Sequence, residues 1–170
     1  MICPTCGWDN LPGNEECDNC KQDLTPLDRP LPNNRVERSL MEDKVSVLQP
    51  RPPVTIRPDT TICNAIRVML EHEIGALLIV DSRGKMMGIF SERDLLTRVA
   101  GQHEDYADLP VATFMTATPE TVTTRDTLDF VLHKMDCGGY RHLPVLDGER
   151  PVGVISVRDM LKHITRLCKE

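Results

Sequence analysis

The chain has 170 residues, 40% hydrophobic and 27% charged, which predicts one or two small folded domains and excludes wholesale disorder. Aromatics supply only 4%, so the core must be aliphatic and few rings are available for stacking bases. A formal charge of -6 opposes a broad phosphate-neutralising surface, and no apolar span of roughly 20 residues or basic-then-apolar leader is visible. The expected setting is cytoplasmic, with neither nucleic acid nor membrane as the main partner.

In a reducing compartment, seven cysteines are better read as thiols or metal ligands than as a disulfide framework. Cys3-Pro4-Thr5-Cys6 and Cys17-Asp18-Asn19-Cys20 are two Cys-x-x-Cys pairs, separated by ten residues between Cys6 and Cys17. Each pair curls into a knuckle that aims two sulfurs at one point, and two knuckles supply the four tetrahedral thiolates that Zn²⁺ prefers. The intervening Asn10, Pro12, Gly13 and Asn14 are turn chemistry. Residues 1 to 24 hold only Ile2, Trp8, Leu11 and Leu24 as sizeable apolar side chains, too few to fold without a metal. Two disulfides or a redox dithiol are the competing readings. The segment resembles short zinc ribbons that begin Cys-Pro-x-Cys-Gly, but Lys21 stands where such modules often carry a second glycine. Asp9, Glu15, Glu16, Asp18 and Asp23 outweigh Lys21, so a structural or protein-contacting role is expected before a phosphate-contacting one.

Residues 25 to 44 read as a boundary: a proline-rich spacer through Asn34, then a short helix over 35–44 with Val36, Leu40 and Met41 on one side. From Val45 the sequence repeats itself. Thr61-Ile62 matches Thr127-Leu128, 66 residues on, as do Met69 and Met135. After a one-residue loss in a turn, Gly88-Ile89-Phe90-Ser91 matches Gly153-Val154-Ile155-Ser156, 65 residues on. Within each copy an amphipathic helix precedes an uninterrupted apolar run, Ala76 to Val80 or Leu143 to Leu146, which suits a strand covered on both faces. A turn, a second strand and a closing helix follow. The expected fold is α/β (α+β), with strand-helix-strand-strand-helix repeats over 45–105 and 106–170.

This unit, with its closing Gly-h-x-Ser-x-x-Asp signature (h apolar), closely resembles the cystathionine β-synthase (CBS) domain. The resemblance covers about Val45 to Leu167 in two copies. It implies a tandem pair, or Bateman module, with two clefts that bind adenosine derivatives, and association into a homodimer. Read physically, Ser91 and Ser156 sit at strand-to-helix junctions, where amides and the helix dipole favour a hydroxyl-rich or anionic ligand. Asp94 and Asp159, three residues on, can each accept from the two hydroxyls of a ribose, or merely close a capping box. The resemblance assigns phosphate contacts to the partner repeat: Arg141, His142 and Arg158 to the Asp94 cleft, and Arg93, beside Gly75 and Ala76, to the Asp159 cleft. The Asp94 cleft is therefore expected to bind more tightly. Thr55 and Ile56, with Thr121 and Val122, are expected to border the adenine.

The function expected is a regulatory, non-enzymatic protein in which the CBS pair senses an adenine nucleotide (AMP, ADP or ATP class) and signals to a protein partner. No nucleophile with a base and orienting group is visible, and four cysteines would close the zinc shell. The alternative is a ligand-free dimerising adaptor whose zinc ribbon grips a protein or RNA.

Overall fold

A computed structural model describes residues 1–11, 13–25, 32–101 and 105–169. Most of the expected proline-rich spacer, residues 26–31, lies outside the described residues, as does Pro12. The chain divides into two compact units, Met1–Arg38 and Ser39–Glu170.

In the first unit each Cys-x-x-Cys pair sits in a small hairpin, closed by the bridges Ile2↔Asp9 and Glu16↔Asp23. The Gly7 and Lys21 amides donate to the Cys3 and Cys17 carbonyls, each at 2.9 Å. These turns require positive φ, and Gly7 takes +72°. Lys21 takes +59° at the matching place, so the departure at Lys21 leaves the turn intact at a cost of about 1–2 kcal/mol in backbone strain. Cys3, Cys17 and Leu24 are the buried side chains of this unit's core.

Helix α1 (Arg35–Glu42) is two residues shorter than expected at its end and buries Ser39. The second unit continues with β1 (Thr55–Ile56), α2 (Ile62–Glu71), β2 (Ala76–Val80), β3 (Met86–Ser91), a single turn α3 (Glu92–Asp94) and β4 (Thr116–Ala117). The second repeat supplies α4 (Leu128–Gly138), β5 (His142–Asp147), β6 (Arg150–Ser156) and α5 (Val157–Lys169). Thr61 caps α2 by accepting from the Asn64 amide, and β2 is buried along four of its five residues, as an unbroken apolar run demands.

The sheets carry an exchange between repeats that periodicity does not show. The first is ordered β1-β2-β3-β4, and β4 comes from the segment leading into the second repeat. In the other sheet β5 pairs β6, Val122 bridges in parallel to Val145, and Arg51, from the lead-in to the first repeat, bridges to Val154. The cores follow suit. Val45, in the 3-10 turn Val45–Leu48, packs with Leu128, Leu143 and Ile155, whereas Val111, in the 3-10 turn Val111–Thr113, packs with Ile62, Leu77 and Phe90. Each repeat thus completes the other.

Gly88 and Gly153 make this crossing possible. A Cβ on Gly153 would lie 2.6 Å from Pro50 Cβ, and one on Gly88 would lie 2.8 Å from both Met115 Sδ and the Thr116 carbonyl oxygen. The group that approaches these glycines is the other repeat's lead-in backbone. Gly153→Ala should therefore lower unfolding stability by about 1–3 kcal/mol, measured by urea denaturation. An unchanged midpoint would mean that the lead-in segment moves aside freely.

A buried network ties α1 to α5. The Ser39 hydroxyl donates to Asp43, so His163 Nε2–H donates to Ser39 Oγ at 2.7 Å and His163 Nδ1 accepts from Arg166 at 3.3 Å. Burial, then the Arg166 charge, holds the His163 pKa below the ordinary imidazole value, while Asp43 partly opposes this. Because the unfolded chain takes up this proton more readily, the stabilisation is full above the ordinary histidine range and declines as pH falls below it. The melting temperature should drop between pH 7 and 5, and drop less in His163→Gln. Equal declines would remove His163 as a cause.

Candidate functional site

Both closing signatures fold into the same local device. In the first repeat, Asp94 Oδ2 accepts from the Ser91 amide at 2.9 Å and its hydroxyl at 2.7 Å. In the second, Asp159 Oδ2 accepts from the Ser156 amide at 2.9 Å and its hydroxyl at 2.6 Å. The capping role weighed for these residues is therefore real. It consumes only one oxygen of each carboxylate, so what meets the other oxygen decides whether a ligand can use it.

The two repeats differ there. Asp94 is buried, and its Oδ1 faces Arg98 Nη1 at 3.4 Å and Thr116 Oγ1 at 3.5 Å. Asp159 is half-buried and, among the described residues, its Oδ1 has no protein donor. It borders a cavity of about 660 Å³, within the range of small-molecule sites. Val54, Ile66, Met69, Ile74, Leu95 and Val157 form its apolar walls. Its polar rim brings together Arg51, Arg141, His142, Glu92, Ser156 and Arg158. Walls from the first repeat's lead-in and α2 thus face a rim drawn largely from the second repeat. A smaller cavity of about 220 Å³ adjoins it, sharing Arg51, Val154 and Asp159 and adding Lys162.

Arg141, His142 and Arg158, which the resemblance assigned to the Asp94 cleft, line the cavity that Asp159 borders, together with Glu92 and Leu95 of the first repeat. His142 pairs with Ser156 across β5 and β6, and the Val157 amide donates to the Arg141 carbonyl at 3.0 Å, as Ala76 pairs with Ser91 and the Glu92 amide donates to the Gly75 carbonyl in the first repeat. Arg93 does not line this cavity. Its Nη1 donates to the Gly139 carbonyl at 3.4 Å. Gly75 and Ala76 do line it, as expected. Thr55 and Ile56 lie one step past the cavity wall, which is built from Arg51, Pro52, Pro53 and Val54. Val122 is a core residue, and Thr121 gives its carbonyl to Lys134. Arg51, Glu92 and Arg98 are site residues that the motifs missed. Arg98 stands four residues after Asp94, a spacing that places opposite charges on one helix face.

His142 occupies the polar rim beside Gly75, where a Cβ would come within 3.1 Å of the imidazole. Burial lowers its pKa from the ordinary value; Glu92 and Asp159 oppose that shift and the Arg141 and Arg158 charges reinforce it. At neutral pH it is therefore an uncharged hydrogen-bonding group, and the arginines are the permanent cations of the site.

The second candidate site is the cysteine cluster. The sulfurs of Cys3, Cys6, Cys17 and Cys20 all lie within 4.8 Å of one another, with Cys3 to Cys20 and Cys6 to Cys17 at 3.6 Å. A tetrahedral ion bonded at about 2.3 Å to each sulfur has edges of about 3.8 Å, so the donor set fits Zn²⁺. Burial opposes ionisation of Cys17, but amides of Cys20 and Asn19 and the Asn10 side chain outweigh it and bring the thiol down to about 6. Cys20 receives help from the Gln22 amide, yet burial and crowding by Cys6, Cys3 and Cys17 push it up to about 12. Four thiolates this close repel one another, and a dication relieves that repulsion. Cys63, Cys137 and Cys168 are exposed.

Two repeats that exchange their lead-in segments and close on capped Ser-x-x-Asp turns define a tandem α/β module. The family model described as CBS domain matches residues 45–101 and 111–166, and the chain belongs to that family. An uncharacterised 17.7 kDa protein of Acidianus ambivalens is 33% identical over 129 residues, covering 73% of this chain and 74% of that one. The chain spans only 22 to 28% of the longer Arabidopsis thaliana CBS-domain proteins that it also matches. Among solved structures, the CBS-domain protein ATU1752 of Agrobacterium tumefaciens superposes with a TM-score of 0.65 at 34% identity, covering 70% of this chain and 94% of that one. The CBS pair of protein MJ0100, in complex with 5'-methylthioadenosine and S-adenosyl-L-methionine, gives 0.66 at 26% identity, covering 72% and 96%. Among the described residues, no helix is long and apolar enough to cross a membrane.

Proposed function

We propose that this protein is a regulatory, non-enzymatic binding protein of the cytoplasm whose Asp159 cleft takes an adenosine-containing ligand and whose ligand state is read by a protein partner. The carrying observation is the cavity of about 660 Å³ at Asp159: an apolar slot for a purine, a carboxylate oxygen free for a diol, and Arg51, Arg141 and Arg158 for a phosphate tail. The adenosine ligands in the MJ0100 pair support this chemistry. The rim favours a phosphorylated nucleotide over a sulfonium, because the guanidiniums repel a cationic tail and bind phosphate bidentately. Calorimetric titration with AMP, ATP and S-adenosylmethionine is the direct test. Saturable binding with AMP or ATP tighter than S-adenosylmethionine is expected, and no heat from any of the three refutes the reading.

Our reading assigns residues 1–24 as a zinc ribbon, 25–44 as its connection, and 45–105 and 106–170 as the two CBS domains, which pair in a homodimer. Cys3, Cys6, Cys17 and Cys20 hold Zn²⁺ for structure, since the shell has no open position for chemistry. Ile2, Trp8 and Leu11 are exposed amid acidic neighbours, which favours a protein as the partner of this segment.

A further inference from the structure

We infer that Arg98 holds the other cleft shut by taking the place of a ligand on Asp94, so that each chain has one open adenosine site and one latent site. This rests on the Asp159 reading above. The Arg98 guanidinium lies 3.4 Å from Asp94 Oδ1, the oxygen left over from the capping box. The same Nη1 donates to the carbonyls of Phe114 at 3.1 Å and Met115 at 3.4 Å. It therefore pins the turn after Asp94 to the lead-in segment that crosses from the second repeat. Asp94's side chain is left only 11% exposed.

The second repeat shows what the position looks like without this plug. The counterpart of Arg98, 65 residues on, is His163, and it turns away to Ser39 and Arg166. Asp159 keeps a free oxygen as a result. The backbone differs in step with the side chains. Residues Leu95–Val99 form a π-helical turn in which the Ala100 amide donates to the Leu95 carbonyl at 2.8 Å, whereas α5 continues as a regular helix. Such wide turns commonly mark functional positions within helices. A ribose diol reaching for Asp94 must strip Arg98 from the carboxylate and leave two carbonyls without their donor.

Calorimetry with AMP as the probe tests this by counting sites per chain. Wild type should bind one equivalent. Arg98→Met, which keeps the aliphatic stem, should bind two, and adding Asp94→Asn should return it to one. Arg98→Gln serves if the Met variant melts early. The inference is overturned if wild type binds two equivalents, or if a folded Arg98 variant still binds one at millimolar AMP. If wild type binds nothing while Arg98→Met binds one equivalent, the Asp159 reading and with it the open site fail, and only the blockade of Asp94 by Arg98 stands. If neither binds, both fail.

Discussion

Cys17→Ser, or removal of metal by a strong chelator, is expected to unfold residues 1–24 outright. Three side chains, Cys3, Cys17 and Leu24, make up the buried core of this unit, and two of them are proposed ligands. Each buried apolar side chain contributes about 1.5–3 kcal/mol, against backbone ordering that costs about 1–2 kcal/mol for every residue fixed. The hairpin bridges Ile2↔Asp9 and Glu16↔Asp23 cannot close that gap, because isolated two-stranded ribbons are marginal in water. Zinc must contribute on the order of 10 kcal/mol, and all of it depends on the fourth sulfur closing the shell. Amide resonances of residues 1–24 should collapse to unfolded positions on chelation and return with added Zn²⁺. Resonances of residues 39–169, which have their own hydrophobic cores, should stay in place. Retention of dispersed Cys3 to Leu24 signals in metal-free protein would dispose of the zinc assignment.

Asp159→Asn is expected to weaken AMP binding by about a hundredfold or more. The substitution is chosen because the asparagine carbonyl can still accept from the Ser156 amide and hydroxyl, which preserves the helix cap. What it removes is charge-assisted acceptance from two ligand hydroxyls, worth about 1.5–3 kcal/mol each. Asp94→Asn should leave affinity within a factor of two of wild type, because the oxygen it alters faces Arg98 and Thr116. A larger loss from Asp94→Asn than from Asp159→Asn would reverse the assignment of the open cleft. Arg158→Ala should weaken AMP more than adenosine, since its role is toward phosphate, and equal losses would place the tail elsewhere.

Much of the fold could be read from residues alone because burial leaves a periodic trace. Ala76 to Val80 is apolar at every position, and all but the last are buried; Ile62, Ala65 and Met69 keep helical spacing and face one core. The one-residue slip between repeats falls in the Asp147-Gly148-Glu149 turn, where a shorter hairpin costs nothing in the strands. The crossing of Arg51 and Thr116 into opposite repeats left no such trace. Two-residue pairings span too little chain for a period to show, and their partners lie far away in sequence.

The cleft was legible in its parts: Ser156, Asp159, Arg141, His142 and Arg158 all line one cavity. Counting back from the β5–β6 turn, with its one-residue bulge between Val145 and Leu146, sets His142 opposite Ser156, and the equivalent count sets Ala76 opposite Ser91. Which of these residues meet across the two repeats depends on tertiary packing that a hairpin count does not carry. The Arg98 plug was visible as a four-residue spacing, yet spacing alone cannot tell a helix-face ion pair from a side chain filling a ligand's place.

The reciprocal lead-ins bear on how such a molecule can arise and come apart. Cutting the peptide between the halves would leave each with a bare sheet margin and an orphaned apolar strap, and the two fragments would have to meet again to satisfy either. Joining the halves in one chain turns an encounter between molecules into a tethered one, and holds each strap at a high effective concentration beside the sheet it completes.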